Sequence, residues 1–331
     1  MASAVRTIDS IRAAGGIVWD NHLCMPLRCD DSFLPDLSRC RTSGLDVVSL
    51  NVGFGDQSIE DHVRVLAYFR AWLSKNSDKY VIPRTVADIR AAKAAGKLSV
   101  VFDVEGMRAV DDEPALVQLY YDLGVKWMLI AYNQNNKAGG GCQDDDSGLT
   151  DLGRRIIDEM ERVGMIVCCS HTGYQTAREV LDYARKPVLF SHSNPRGLVE
   201  HPRNIPDDLI DKCAATGGVI GINGVGKFLG DDKAGTEAIL RHVDYVADRV
   251  GVDHVGISLD SCFDESELID YIKANPQIFP PEHGYGDGLA IAQPEQYPEI
   301  AEGLIARGYS EDDAAKVLGL NFLRVAEQVW R

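Results

Sequence analysis

Residues 98–106 read L-S-V-V-F-D-V-E-G. Leu98–Val104 is mostly apolar without regular alternation, the pattern of a parallel strand covered on both faces. A carboxylate, Glu105, comes directly after it, and Gly106 ends the run. Seven other short apolar runs share this character: Gly16–Trp19, Val47–Asn51, Trp127–Ala131, Met165–Cys169, Val188–Phe190, Val219–Ile222 and Val255–Leu259. Eight such runs alternating with helix-like stretches predict an α/β chain folded as a closed (β/α)8 TIM barrel. An open doubly wound sheet is the alternative.

The intervening stretches carry helix signals. Ser58–Asn76 places Val63, Leu66, Phe69 and Leu73 on one apolar face. Thr85–Ala95 and Thr150–Val163 open on capping residues, and the second stops before Gly164. Thr172–Arg185 ends before Pro187. Beyond residue 290 the chain reads as appended helices, Pro298–Ala306 and Ala314–Val329. No low-complexity tract or linker divides the sequence, so residues 1–331 are expected to form a single barrel domain.

Composition narrows the function classes. Fifty acidic residues against 34 basic ones give a formal charge of −16. That balance disfavours nucleic acid and anionic membrane surfaces as partners, and no basic cluster stands out along the chain to reverse it locally. No apolar stretch approaches the ~18 residues of a membrane span. The N-terminus lacks the apolar core of a secretory signal, so a cytoplasmic location is expected. None of the eight cysteines forms a C-x-x-C pair, which predicts reduced thiols packed mostly as core fillers.

The chemistry lies in the polar residues at the ends of these runs. Asp20 and His22 close the first, Glu105 the third, His171 the fifth, His192 the sixth and Asp260 the eighth. In a barrel the C-terminal strand ends converge on one face, so these distant side chains would meet. Imidazole and carboxylate are ligands for zinc and similar divalent ions, and that set points to a metal-dependent hydrolase. The remaining histidines, among them His62, His201 and His242, fall in helix-like segments or loops and are expected to be structural.

These motifs resemble the renal or membrane dipeptidases (peptidase family M19), binuclear zinc hydrolases with a TIM-barrel fold. The likeness runs through W-D-N-H-L-C-M-P, V-E-G at Glu105, A-Y-N-Q-N-N-K-A-G-G-G-C, S-H-T-G-Y, F-S-H-S-N-P-R, G-I-S-L-D and the closing L-G-L-N-F-L-R-V. The resemblance implies that His22 binds a first metal, Glu105 bridges two, and His171 with His192 binds the second. It implies that Asp260 handles the proton of the attacking water, that Arg196 pairs with the substrate's free carboxylate and that Tyr132 contacts the substrate. It implies a homodimer acting on a dipeptide-like small molecule, with D-residues tolerated at the C-terminal position.

The sequence departs from the family pattern at two places, as a bacterial-type member with Cys24 where the family carries a first-strand Asp ligand. A thiolate is a good zinc ligand but softer than carboxylate, leaving one or two ions per chain open, with manganese or iron as other metals the set accepts. Cys168–Cys169 stands where the family commonly has Asp-Leu, removing a carboxylate near His171. Two competing readings arise: an amidohydrolase acting on another small amide through a remodelled one-metal site, and a catalytically silent metal- or ligand-binding relative.

Overall fold

The computed structural model describes residues 2–331. Eight parallel strands succeed one another around the molecule: β1 (Trp19–Cys24), β2 (Val47–Phe54), β3 (Leu98–Glu105), β4 (Val125–Leu129), β5 (Ile166–Cys168), β6 (Leu189–Phe190), β7 (Val219–Asn223) and β8 (Val255–Ser258). The closure is made by a broken last strand. After β8 the chain kinks at Leu259–Asp260, and the two-residue stretch Ser261–Cys262 pairs in parallel with Leu23 and Cys24 of β1. The sheet thus returns to its first strand, with helices between successive strands, as in a TIM barrel. A further short strand, Tyr80–Val81, pairs with the first residues of β3.

Period-two alternation assigns the side chains. Val100, Phe102 and Val104 of β3 join the large core between sheet and helices, whereas Val101 joins a second cluster inside the barrel. Asp103 and Glu105 share the parity of Val101 and therefore project inward, near the C-terminal end of the strand. The inner cluster also holds Trp19, Val47, Trp127, Leu129, Ile166, Cys168, Leu189 and Val219, and is floored by Phe322, Leu323 and Val325 of helix Asn321–Val329. The Trp19 ring lies 6.1 Å from Phe322 and 6.0 Å from Trp330, so this last helix plugs the N-terminal mouth.

Several elements differ from the sequence reading. The first strand is not Gly16–Trp19 but Trp19–Cys24, because its buried polar residues Asp20, Asn21 and His22 break the apolar run that marks a strand in sequence. A register shift between Asp20 and Leu23 then resets the alternation. Val18 and Leu23 both face the outer core although five residues apart, which only a bulge permits. The closing helix, expected over Ala314–Val329, is two helices, Glu311–Ala315 and Asn321–Val329, joined by a wide turn. Gly319 in that turn leaves no room for a side chain, since a Cβ there would meet the Ile17 carbonyl at 2.5 Å. Helices Ala2–Ala13, Asp207–Ala215 and Glu265–Ala274 have no expected counterpart.

The helix starts agree closely with expectation. Ser58 and Thr85 close reciprocal capping boxes with Asp61 and Asp88, and Thr150 accepts from the Gly153 amide. Gly164 ends helix Asp151–Val163 in the left-handed region. No two of the eight cysteines are joined.

Candidate active site

His22, Glu105, His171, His192 and Asp260 do converge. Glu105 is the centre. Its Oε1 lies 3.4 Å from His171 Nε2 and 3.2 Å from His192 Nε2, while its Oε2 lies 3.5 Å from His22 Nε2. The two imidazole nitrogens of His171 and His192 stand 2.9 Å apart. On the other side, His22 Nε2 is 3.5 Å from Asp260 Oδ1 and 3.5 Å from Cys24 Sγ, and Cys24 Sγ is 3.7 Å from Asp260 Oδ1. The carboxylate of Glu105 therefore faces two donor groups, one with each oxygen.

Backbone conformation aims these side chains. Gly106, at φ 114°, turns the chain immediately after Glu105. His171 and Asp260 sit in the left-handed region at φ 60° and 57°, as does Asn133 at 57°. For non-glycine residues that conformation costs on the order of 1–2 kcal/mol each. Three of the five such residues in the described chain fall at this one site.

Neighbouring polar groups fix the rings. His171 Nδ1 lies 2.7 Å from Asn133 Oδ1, and the Asn133 amide is oriented by its own donation to the Ile278 carbonyl. Nδ1 must then carry the proton, leaving the Nε2 lone pair pointed at Glu105. His192 Nδ1 lies 2.8 Å from Ser191 Oγ, whose hydroxyl donates onward to Ser170. Cys168, inside the barrel, donates to the same Ser191 hydroxyl, so hydroxyls and a thiol, with no carboxylate, orient the His192 ring. His22 Nδ1 sits 3.2 Å from Asp103, and Asn51 donates to both Asp103 and Glu105. Asp260 Oδ2 accepts from Asn223.

Electrostatics separates the three imidazoles. Burial, helped by nearby Arg203, pushes His171 well below its ordinary pKa, and burial with the neighbouring His22 does the same to His192. At His22 burial is opposed and outweighed by the carboxylates of Glu105 and Asp103, which raise it well above. Burial pushes Glu105 up to about 8 and raises the Cys24 thiol well above its usual range. A carboxylate in that state needs a compensating positive charge before it ionises at neutral pH.

The donor set fits divalent cations. Glu105 Oε1 is buried and makes no hydrogen bond, although it faces two neutral imidazole nitrogens whose lone pairs point the same way. Ligand atoms on a tetrahedron with bonds of ~2.0–2.2 Å stand about 3.3–3.6 Å apart, close to the separations seen here. His22, Glu105 and His192 form one such trio, and His22, Cys24 and Asp260 another.

A cavity of about 250 Å³ opens over these groups, with Cys24, Glu105, Tyr132, His171 and Asp260 at its base. The Tyr132 ring stacks on His171 at 4.2 Å, and its hydroxyl makes no hydrogen bond among the described residues. Phe54, Phe228, Tyr271, Phe279 and Ile291 form an apolar wall. Arg196 does not reach this cavity. Its guanidinium pairs with Glu200 at 2.7 Å and lies over the Tyr174 ring in a loop that faces outward. The arginine that lines the cavity is Arg203, 3% exposed, with Nη2 on the His192 carbonyl and Nε unpartnered. His201 holds it in place by accepting the Arg203 amide on Nδ1 and donating from Nε2 to the His283 carbonyl.

Sequence reading therefore misses Arg203, Asn51, Asp103, Asn133, Ser191 and Asn223. Asp103 has a signal, since it shares the face of Glu105 two residues away on the same strand. Arg203 has none beyond lying near His192, and Arg196 has the same merit.

Similarity to known proteins is consistent along the chain. Residues 30–270 match the family described as membrane dipeptidase (peptidase family M19). The dipeptidase verJ of Clonostachys rogersoniana is 29% identical over 276 residues, covering 82% of this chain and 66% of that protein. The uncharacterized dipeptidase C3A11.10c of Schizosaccharomyces pombe (strain 972 / ATCC 24843) is 30% identical over 234 residues, covering 69% and 52%. The chain thus spans roughly half to two thirds of the length of these curated relatives. Among solved structures, an amidohydrolase from Pseudomonas aeruginosa superposes with a TM-score of 0.88 at 28% identity, covering 99% of each chain. A metallo peptidase from Rhodobacter sphaeroides, liganded with a phosphinate mimic of the dipeptide L-Ala-D-Ala, shares the fold at a TM-score of 0.76 and 21% identity, covering 95% of this chain and all of that one.

Proposed function

This chain belongs to the membrane dipeptidase family, peptidase family M19, and from that premise we propose that it is a metal-dependent hydrolase cleaving the amide bond of a dipeptide or dipeptide-like small molecule. One observation carries the reading: a buried, unpartnered Glu105 oxygen shared between two imidazoles whose lone pairs both face it. A carboxylate, two neutral imidazoles and a thiol favour zinc over harder ions. His171 and His192 would hold one ion and His22 with Cys24 the other, with Glu105 between them. When bound, such ions polarise an amide carbonyl and lower the pKa of water.

The chain's own groups would do the rest. Asp260 lies beside both donor groups and lines the cavity. It would accept the proton of the attacking water and return it to the leaving amine, while Asn223 holds its other oxygen. Arg203, rather than Arg196, would receive the substrate's free carboxylate, because its buried guanidinium has a donor to spare in the cavity. Tyr132 would offer its hydroxyl to the substrate. The apolar wall would keep bulk water away from the reacting bond.

Hydrolysis of a dipeptide panel by zinc-equilibrated protein tests the reading, with an N-acyl amino acid series as the competing substrate class. Glu105→Gln is expected to abolish turnover with an unchanged circular dichroism spectrum. Full activity in that variant would sink the mechanism. Metal content distinguishes two ions from one. About two equivalents per chain are expected, and loss of one equivalent in Cys24→Ala would identify the thiol as a ligand.

A further inference from the structure

A second cavity, about 710 Å³, opens at the opposite end of the barrel. It lies where Tyr80–Val81 meets the first residues of β3 and where β4 begins, on the side of the N-terminal strand ends. Arg70, Arg84, Lys97, Lys126 and Arg331 line it, five cationic side chains drawn from distant stretches of chain, with a single carboxylate side chain, Asp122, and the main-chain oxygen of Arg331, which accepts from the Tyr121 hydroxyl. The cationic cluster invisible along the sequence is assembled here by folding.

None of these five side chains forms an ion pair among the described residues. In a chain with 50 acidic side chains against 34 basic ones, a carboxylate is the commoner neighbour to find. Asp122 is itself engaged by Gln118. Arg70 donates to the Leu123 carbonyl and has further donors to offer. Lys126 is the unusual member, only 3% exposed. Its ammonium rests 4.0 Å from the Tyr121 ring and 4.6 Å from Trp330, with one bond to the Arg84 carbonyl at 3.1 Å. A buried cation held by rings and a carbonyl, with Asp88 and Asp122 acting on it only from beyond ion-pair distance, keeps much of its charge unanswered. Burial and the nearby Arg84 lower its pKa to about 8.

We propose that this cavity binds a small, multiply charged phosphate compound, at a site separate from the one over Glu105. The net negative charge of the chain does not oppose this, because at physiological ionic strength charges are screened beyond ~8 Å. The five cations lie within one cavity and set its local field. Guanidinium groups such as Arg70 and Arg84 offer forked donors that match phosphate oxygens, and Lys97 adds a point charge. Ser74 and Ser77 in the same wall add hydroxyl donors. A single carboxylate ligand would leave most of this charge unanswered, which is why a multivalent anion fits better.

Calorimetric titration decides it, with pyrophosphate and separately ATP injected into the full-length, metal-loaded protein and into Arg84→Gln/Lys97→Gln. Neither substituted side chain is buried, so the fold should survive, and a melting curve checks this. If the double variant melts early, Lys97→Gln alone provides the comparison. Both proteins keep the same site over Glu105, so any phosphate attraction to metal there cancels in the difference. The expected result is one saturable site per chain, at least tenfold weaker in the variant and weaker again in higher salt. Pyrophosphate binding would mean that phosphate alone is recognised, and binding of ATP alone that the nucleoside contributes. Binding of neither probe, or equal binding to both proteins, overturns the proposal.

Discussion

Replacing Arg203 by lysine separates the two arginines that compete for the substrate carboxylate. The side chain is 3% exposed, its Nη2 is committed to the His192 carbonyl, and its Nε has no partner. Lysine keeps the positive charge near the imidazoles but gives up the fork. Loss of one charge-assisted bond costs about 1.5–3 kcal/mol, which corresponds to a KM rise of roughly 10- to 150-fold. Arg196 is 38% exposed and held in an i,i+4 pair with Glu200. Such a pair is worth only ~0.3–0.5 kcal/mol, so Arg196→Ala should stay within about twofold of the parent. The assay is initial rates on a dipeptide and on its C-terminal amide. Removing the substrate carboxylate should cost the parent enzyme about as much as the substitution does, and the variant should treat both substrates nearly alike. Depression of both substrates by the same factor in Arg203→Lys, or equal damage from Arg196→Ala, would refute the assignment of Arg203 to the carboxylate.

Other consequences are open to measurement. Asn133→Leu removes the acceptor that fixes the His171 tautomer, and chelator competition should find metal held about 10- to 100-fold more weakly; unchanged affinity would show that the amide does not set the ring. Phe322→Ala empties the floor of the barrel and should cost on the order of 3–5 kcal/mol in denaturant unfolding; a loss under about 1 kcal/mol would mean the helix does not plug the interior. Burial pushes His242 down to about 4, while an unfolded histidine protonates near 6.5. The unfolded state therefore binds the extra proton first, so stability should fall as pH drops from about 6.5 to about 4, by at most about 3 kcal/mol. His242→Gln should flatten that part of the urea-midpoint profile relative to the parent, and an unchanged slope would remove His242 as a cause.

Much of this site can be read from the order of residues, because a strand run and the polar residue after it are local features. Glu105 and Asp260 come directly after apolar runs and His171 and His192 one residue later, and barrel topology then brings them together. His22 is legible even though the apolar run places its strand too early. Its neighbours Asp20 and Asn21 are polar and buried, so hydropathy ends the strand where the bulge region begins. What escapes depends on contacts between distant segments. Asn133 reaches His171 across a loop, and Arg203 enters the cavity because His201 and the backbone at His283 hold it there. Spacing from His192 cannot separate Arg203 from Arg196. The cations at the opposite end are likewise scattered across more than 250 positions, from Arg70 to Arg331, and no window of sequence contains their meeting.

The broken last strand ties the closure of the barrel to the placement of Asp260. Asp260 occupies the break itself, and the segment just beyond it seals the barrel against β1. The Leu259 amide bonds to Asp20, and the Phe263 amide bonds to the Cys24 carbonyl. The proposed metal donors His22, Cys24, Glu105, His171 and His192 all precede β7, and the proposed proton carrier, Asp260, follows β8. On those proposed roles, the residue that would carry the proton is positioned by the same break that shuts the ring.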